Sequence, residues 1–367
     1  MNLIPPADVL GIPSPPFIFM ALGWITFTFH LIFMNYVLGG TVIVAFQEWF
    51  QGRDEQVAKS NLLLVKIMPI ALSFAITMGV APLLFVQVLF GQFFYTANIV
   101  MGGFWLSIIA LVMIAFYSLY IILALKPASA WIRKILITIN MVLFLLVAFI
   151  FTNNAVLTEN PQYWADIYSG AKNVVAPDPT LIPRYLHNLF GAIPVAGLWL
   201  AVIGRYQLRF YPQNEGMAKK MIRAGLLWAT ITTVIEIVVG GIFLMTMGSE
   251  RIADFMGNGY LFVGWAIGTC TGVFTLITLI LALVTENNSK FIWGSVVLFA
   301  VTLVGMTMGR DLLRIISLQS YFTVDQLVVR PSTSSLLLFL ITFVIGLGLV
   351  GYLISLVWKL PPKEKSE

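Results

Sequence analysis

The sequence predicts an all-α, polytopic membrane helix bundle with nine transmembrane helices, and three observations carry that prediction. The first is composition. The 367 residues are 59% hydrophobic and 10% charged, with a mean hydropathy of +0.94. A soluble domain is about 45–50% apolar and about 25% charged. So little charge excludes a soluble globular chain, a disordered chain and a disulfide scaffold. The second is placement. The stretch between Asp8 and Glu48 holds 39 uncharged residues, and that between Lys66 and Lys126 holds 59. A spanning helix needs about 20 apolar residues, so the longer stretch contains two spans and a turn. The third is the position of the cations, which collect between apolar runs. They are therefore topology signals and not a nucleic-acid footprint, despite a net charge of +5 and a pI near 9.2.

The first span, 17–46, follows MNLIPPADVLGIPSPP. That leader has no basic region, and the apolar run is longer than a signal peptide's core, so it reads as a retained span. Spans two and three, 62–90 and 101–125, divide the long uncharged stretch. Span four, 135–151, starts after Arg133 and Lys134, and span five, 185–204, lies between Arg184 and Arg205. Span six, 224–247, follows Lys219, Lys220 and Arg223. Span seven, 260–283, carries Gly264, Gly268 and Gly272 four apart, a small-residue ladder that predicts close helix packing. Span eight, 291–308, and span nine, 335–358, complete the set. No internal repeat or soluble insert interrupts 1–367, which reads as a single integral membrane domain. The longest outer connections are 152–184 and 311–334, while 248–259 is short. Fifteen of the 21 Lys and Arg fall on one side if the N-terminus is outside, so the positive-inside rule gives N-out and C-in.

Polar groups within spans are costly and mark candidate sites. The sequence has two histidines: His30 deep in span one and His187 near the outer end of span five, one turn after Arg184. Neutral imidazole is an axial ligand for haem iron. A histidine hydrogen-bonded between helices is the alternative reading of each. Glu236, the one carboxylate deep in a span, reads as a proton relay, a haem ligand, an ion site or a protonated packing residue. Arg310 and Arg314 follow span eight, where they would pair with haem propionates or anchor the interface. Methionines such as Met78, Met245, Met247, Met306 and Met308 are soft ligands or packing. The single cysteine, Cys270, allows no internal disulfide and no covalent haem attachment motif.

Several segments together resemble subunit I of the cytochrome bd quinol oxidase family. FTFHLIFMNYVLGG at 27–40 is similar to that family's first haem-histidine segment, which gives His30 that role. GVAPLLFVQVLFG at 79–91 is similar to its second-span stretch. IPRYLHNLFGAIPVAGLWL at 182–200 resembles the segment carrying the low-spin haem histidine, which maps to His187, and Gly309-Arg310 resembles its Gly-Arg motif. The chain departs from the family where the family carries acids. Gln87 stands in the place of a second-span glutamate, Thr307 and Met308 precede the Gly-Arg pair, and 101–125 has no carboxylate. FVGWAIGTCTG at 262–272 lacks the family's methionine ligand, and the quinol loop is reduced to 248–259. The resemblance then implies a membrane subunit of a bd-like respiratory oxidoreductase in a bacterial or archaeal cytoplasmic membrane. It would carry electrons through b-type haem on His30 and His187, with Arg310 on a propionate, and would not reduce oxygen alone. Implied partners are the lipid bilayer, a paralogous or second membrane subunit and a periplasmic c-type cytochrome at 152–184. A haem-free quinone-binding anchor using Glu236, Asn35 and Asn140 is the second reading, and a transporter the third.

Overall fold

A computed structural model describes residues 4–6, 9–52, 54–125, 130–257, 259–285 and 288–359, apart from the Trp358 side chain. Asp8, Arg53, Lys126, Lys363 and Lys365, which enter the charge pattern above, lie outside the described residues. The helices are α1 Pro16–Phe50, α2 Glu55–Val100, α3 Gly102–Ala124, α4 Ala130–Glu159, α5 Trp164–Tyr168, α6 Leu181–Phe210, α7 Glu215–Thr246, α8 Ser249–Gly257, α9 Gly259–Val284, α10 Ser289–Leu318 and α11 Thr333–Lys359. Nine of them, among the described residues, are long and apolar enough to cross a membrane. All but α5 and α8 therefore match the expected spans in order.

Local chemistry explains the starts and bends. Pro16 opens α1, where its missing N–H costs nothing. The Asp54 carboxylate accepts from the backbone N–H groups of Gln56 and Val57 to cap α2, and Asn288 caps α10 through Lys290. α2 is bent at Phe90, whose φ of −133° and ψ of 30° leave the helical region. Hydroxyls within spans donate to their own helix, as Thr28 does to the Trp24 carbonyl at 2.8 Å and Thr233 to Ala229 at 2.7 Å. That internal bond lets threonine sit where no water can serve it.

Close backbone approach fixes the helix pairs. A Cβ on Gly197 of α6 would lie 2.6 Å from the Gly225 carbonyl oxygen of α7. A Cβ on Gly268 of α9 would lie 2.7 Å from Gly305 Cα of α10, and one on Gly264 would run into Met308. The expected ladder on span seven is therefore the seam between α9 and α10. α1 and α2 form a third pair, tied by the Tyr36 hydroxyl donating to the Leu64 carbonyl at 2.9 Å. The segment before α1 is held too. Ile12 bridges to the connection before α11, with Ile12 N donating to the Val328 carbonyl and Arg330 N to the Ile12 carbonyl, both at 2.8 Å.

Three boundaries differ from expectation. α10 runs to Leu318, so Arg310 and Arg314 lie within the helix rather than beyond it. α4 runs to Glu159, which shortens the connection expected at 152–184 and gives it a 3-10 turn and α5. The short connection 248–259 is mostly α8. In the first two cases the apolar run ends while the helix continues, because buried partners satisfy its charged residues. Glu159 takes Arg184, and Asp311 takes Arg314.

Candidate functional site

His30 sits on the α1 face turned to α2. Its Nδ1 lies 2.7 Å from the Ala75 carbonyl oxygen. A carbonyl only accepts, so Nδ1 carries the proton, and in the neutral ring Nε2 keeps the lone pair. Gly79 makes this reach possible, since a Cβ there would stand 2.9 Å from His30 Nδ1. Phe27, nearly one turn earlier, stacks on the imidazole with ring centroids 5.8 Å apart and 21° between planes.

Arg310 of α10 completes that stack. Its guanidinium lies 4.3 Å from the centroid of Phe27, a cation–π contact. Next to it Asp311 is already engaged. Asp311 accepts from Arg314 Nη1 and from Trp24 Nε1, each at 2.8 Å. Arg310 itself has no carboxylate within ion-pair distance among the described residues. A cavity of about 20 Å³, lined by Gly23, Trp24, Phe27, Phe85, Thr307 and Arg310 among others, lies here. That is room for about one water molecule.

His187 lies on α6 and Glu236 on α7. His187 Nδ1 and Glu236 Oε1 are 3.0 Å apart, and the side chains are 24% and 21% exposed. The distance is that of a hydrogen bond but the alignment is not, so neither His187 Nδ1 nor Glu236 Oε2 has a hydrogen-bond partner among the described residues. Phe243 tilts against the imidazole with centroids 6.0 Å apart. One turn before His187, Arg184 forms a buried two-point pair with Glu159, Nη1–Oε2 at 2.5 Å and Nη2–Oε1 at 2.9 Å. Asp178 stands beside it, accepting from Thr180 N at 2.9 Å and meeting Arg251 at 3.7 Å.

The expected site residues thus fall into two groups. Phe27 links His30 to Arg310, while His187 joins Glu236, and no hydrogen bond or ring contact joins the histidines to each other among the described residues. Asn140 turns to Ser118 and to its own helix at Leu136, with no hydrogen bond to Glu236. Met247 is a core residue, and Met245 is 80% exposed. Sequence reasoning missed the His187–Glu236 pair and the Phe27 bridge. Gly191, four residues after His187, and Gly240, four after Glu236, were the one available sign that α6 and α7 meet closely there.

No protein-family model matches the chain, and no curated protein sequence matches it. Among solved structures, the bd oxidase from Geobacillus thermodenitrificans is similar at a TM-score of 0.73 and 13% identity. The match covers 95% of this chain and 99% of that one. At that identity the likeness establishes the fold: an all-helical membrane bundle of the bd-oxidase kind.

Proposed function

We propose that this chain is a membrane subunit of a cytochrome bd-like respiratory oxidoreductase complex, with haem held by His30 and His187. The observation that carries the reading is the shared state of the two imidazoles. Each turns Nδ1 to an oxygen, the Ala75 carbonyl at 2.7 Å and the Glu236 carboxyl at 3.0 Å. For His30 this leaves Nε2 as the donor atom, and for His187 the same would hold once Nδ1 and the carboxyl align. Metal-ligating histidines are oriented in this way, by a carbonyl or carboxylate on the far ring nitrogen.

Two further observations support b-type haem as the group held. Gly79 and Gly240 admit the imidazoles themselves to their helix seams, since a Cβ would stand 2.9 Å from His30 Nδ1 and 3.1 Å from His187 Cε1. Arg310, unpaired with any described carboxylate and braced on Phe27, suits a propionate, since a guanidinium binds a carboxylate through two parallel bonds. Bound haem supplies one-electron transfer. The chain's own part is to orient two imidazoles and hold an anion at Arg310.

The places of two family carboxylates support electron transfer without oxygen reduction by this chain alone. Gln87 donates no proton and accepts from the Tyr95 hydroxyl at 3.1 Å, and the Thr307 hydroxyl donates to its own helix at Val304. Reduction of oxygen needs protons brought to the metal, and these side chains bring none. A second, paralogous membrane subunit would supply the missing groups. The cation pattern supports an outside N-terminus in a bacterial or archaeal membrane. The connection 160–180 would then face a periplasmic c-type cytochrome. Difference spectra of dithionite-reduced against air-oxidised protein test the reading. Haem bands that fall in His30→Ala and in His187→Ala support it, and a colourless wild type overturns it.

A further inference from the structure

The α6–α7 seam is reciprocal around the His187–Glu236 pair. His187 faces Gly240 of α7, where a Cβ would stand 3.1 Å from its Cε1 and 3.3 Å from its Nδ1. Glu236 faces Gly191 of α6, where a Cβ would stand 2.9 Å from its Oε1. Gly191 follows His187 by four residues and Gly240 follows Glu236 by four, so each glycine shares a face with its own helix's polar group. Each helix thus leaves an opening for the polar side chain of the other. The result is one imidazole and one carboxyl facing each other, with no hydrogen bond from either to a further side chain among the described residues. Among the described residues no hydrogen bond continues from Glu236 to another titratable group, and its Oε2 is unpartnered. A carboxyl placed at span depth without its hydrogen bonds is costly, so its retention there asks for a task at His187 itself.

We propose that Glu236 is the positioning residue for His187. With haem bound, its Oε1 would accept the Nδ1 proton, fix the ring and its tautomer, and leave the Nε2 lone pair free to act as the ligand. The two atoms stand at hydrogen-bond distance, 3.0 Å, and engagement of Nε2 would have to turn the ring to align the bond. This rests on the haem reading above, and adds to it the residue that sets the donor strength of one ligand. An acceptor on Nδ1 makes the imidazole a stronger donor, which favours the oxidised iron.

Two substitutions in the full-length, detergent-purified protein test it. Glu236→Gln keeps an acceptor oxygen at the same reach, and Glu236→Leu removes it. The expected result is wild-type haem content in Glu236→Gln. Glu236→Leu should lose ten- to hundredfold in haem affinity, and its remaining haem should show a raised midpoint potential. Matching melting temperatures show that both variants fold. Wild-type affinity and potential in Glu236→Leu overturn the proposal, as does a Glu236→Gln variant as impaired as Glu236→Leu. If the wild type carries no haem, the haem reading fails by itself, and the pair is then judged by nitrogen-15 shifts of His187 in a His30→Ala background. A proton on Nδ1 that moves in Glu236→Leu supports the positioning role, and a proton on Nε2 in the wild type overturns it.

Discussion

Arg184 shows how a charged residue is kept near the end of an apolar span. It is 5% exposed, its partner Glu159 is 3% exposed, and two bonds at 2.5 and 2.9 Å satisfy both groups. Breaking a buried pair from one side leaves a charge with neither water nor partner, at about 3–5 kcal/mol. Arg184→Ala should therefore lower stability by about that amount. Replacing both residues by leucine should cost less than Arg184→Ala alone, since no bare carboxylate remains. Denaturation of the three proteins in one detergent measures the difference, and an undisturbed Arg184→Ala would count against the pair. Single residues were partly legible in the sequence. His30, His187, Glu236 and Arg310 stand out because polar groups are rare in spans. Their partners did not stand out, because Ala75 and Phe27 are ordinary residues whose role comes only from the face they share.

At the level of elements, the α9–α10 seam follows directly from sequence. Gly264, Gly268 and Gly272 recur every fourth residue, and a Cβ on Gly268 would stand 2.7 Å from Gly305 Cα. Gly268→Leu should force the two helices apart and destabilise the bundle by about 1–3 kcal/mol, the usual cost of overpacking. A Cβ on Gly294 of α10 would meet nothing within 4 Å, so Gly294→Leu serves as the neutral control. Thermal melting of the two variants separates the outcomes, and equal melting temperatures would refute the seam. Helix existence was legible because lipid demands long apolar runs. Helix ends were not, because α2 has 46 residues and α10 has 30, longer than the bilayer requires. Beyond the bilayer, caps and buried pairs decide where a helix stops, and those depend on distant residues.

For the whole molecule, the apolar surface is the dominant fact. α11 is exposed along almost its entire length, with Phe339 meeting Phe85 at 5.9 Å as one of its few ties to the bundle. Lipid or another membrane helix must cover such a surface. The positive-inside rule applied to the cations predicts an outside N-terminus with the carboxyl end inside. A green fluorescent protein fused after Glu367 should fluoresce in cells, and an alkaline phosphatase fused there should be inactive. The opposite pair of results would invert the bundle and move the proposed cytochrome-docking connection to the wrong side. The charge scarcity marks the chain as a membrane protein, and in the proposed reading it also bears on the absence of oxygen reduction by this chain alone.

The most direct measurement is haem content per chain in the wild type, His30→Ala and His187→Ala, read from reduced-minus-oxidised spectra alongside protein concentration. The account predicts b-type bands in the wild type and a loss of part of them in each variant, with losses at different wavelengths or potentials for the two sites. A wild-type protein without haem absorbance, or variants that keep the full wild-type spectrum, would contradict it.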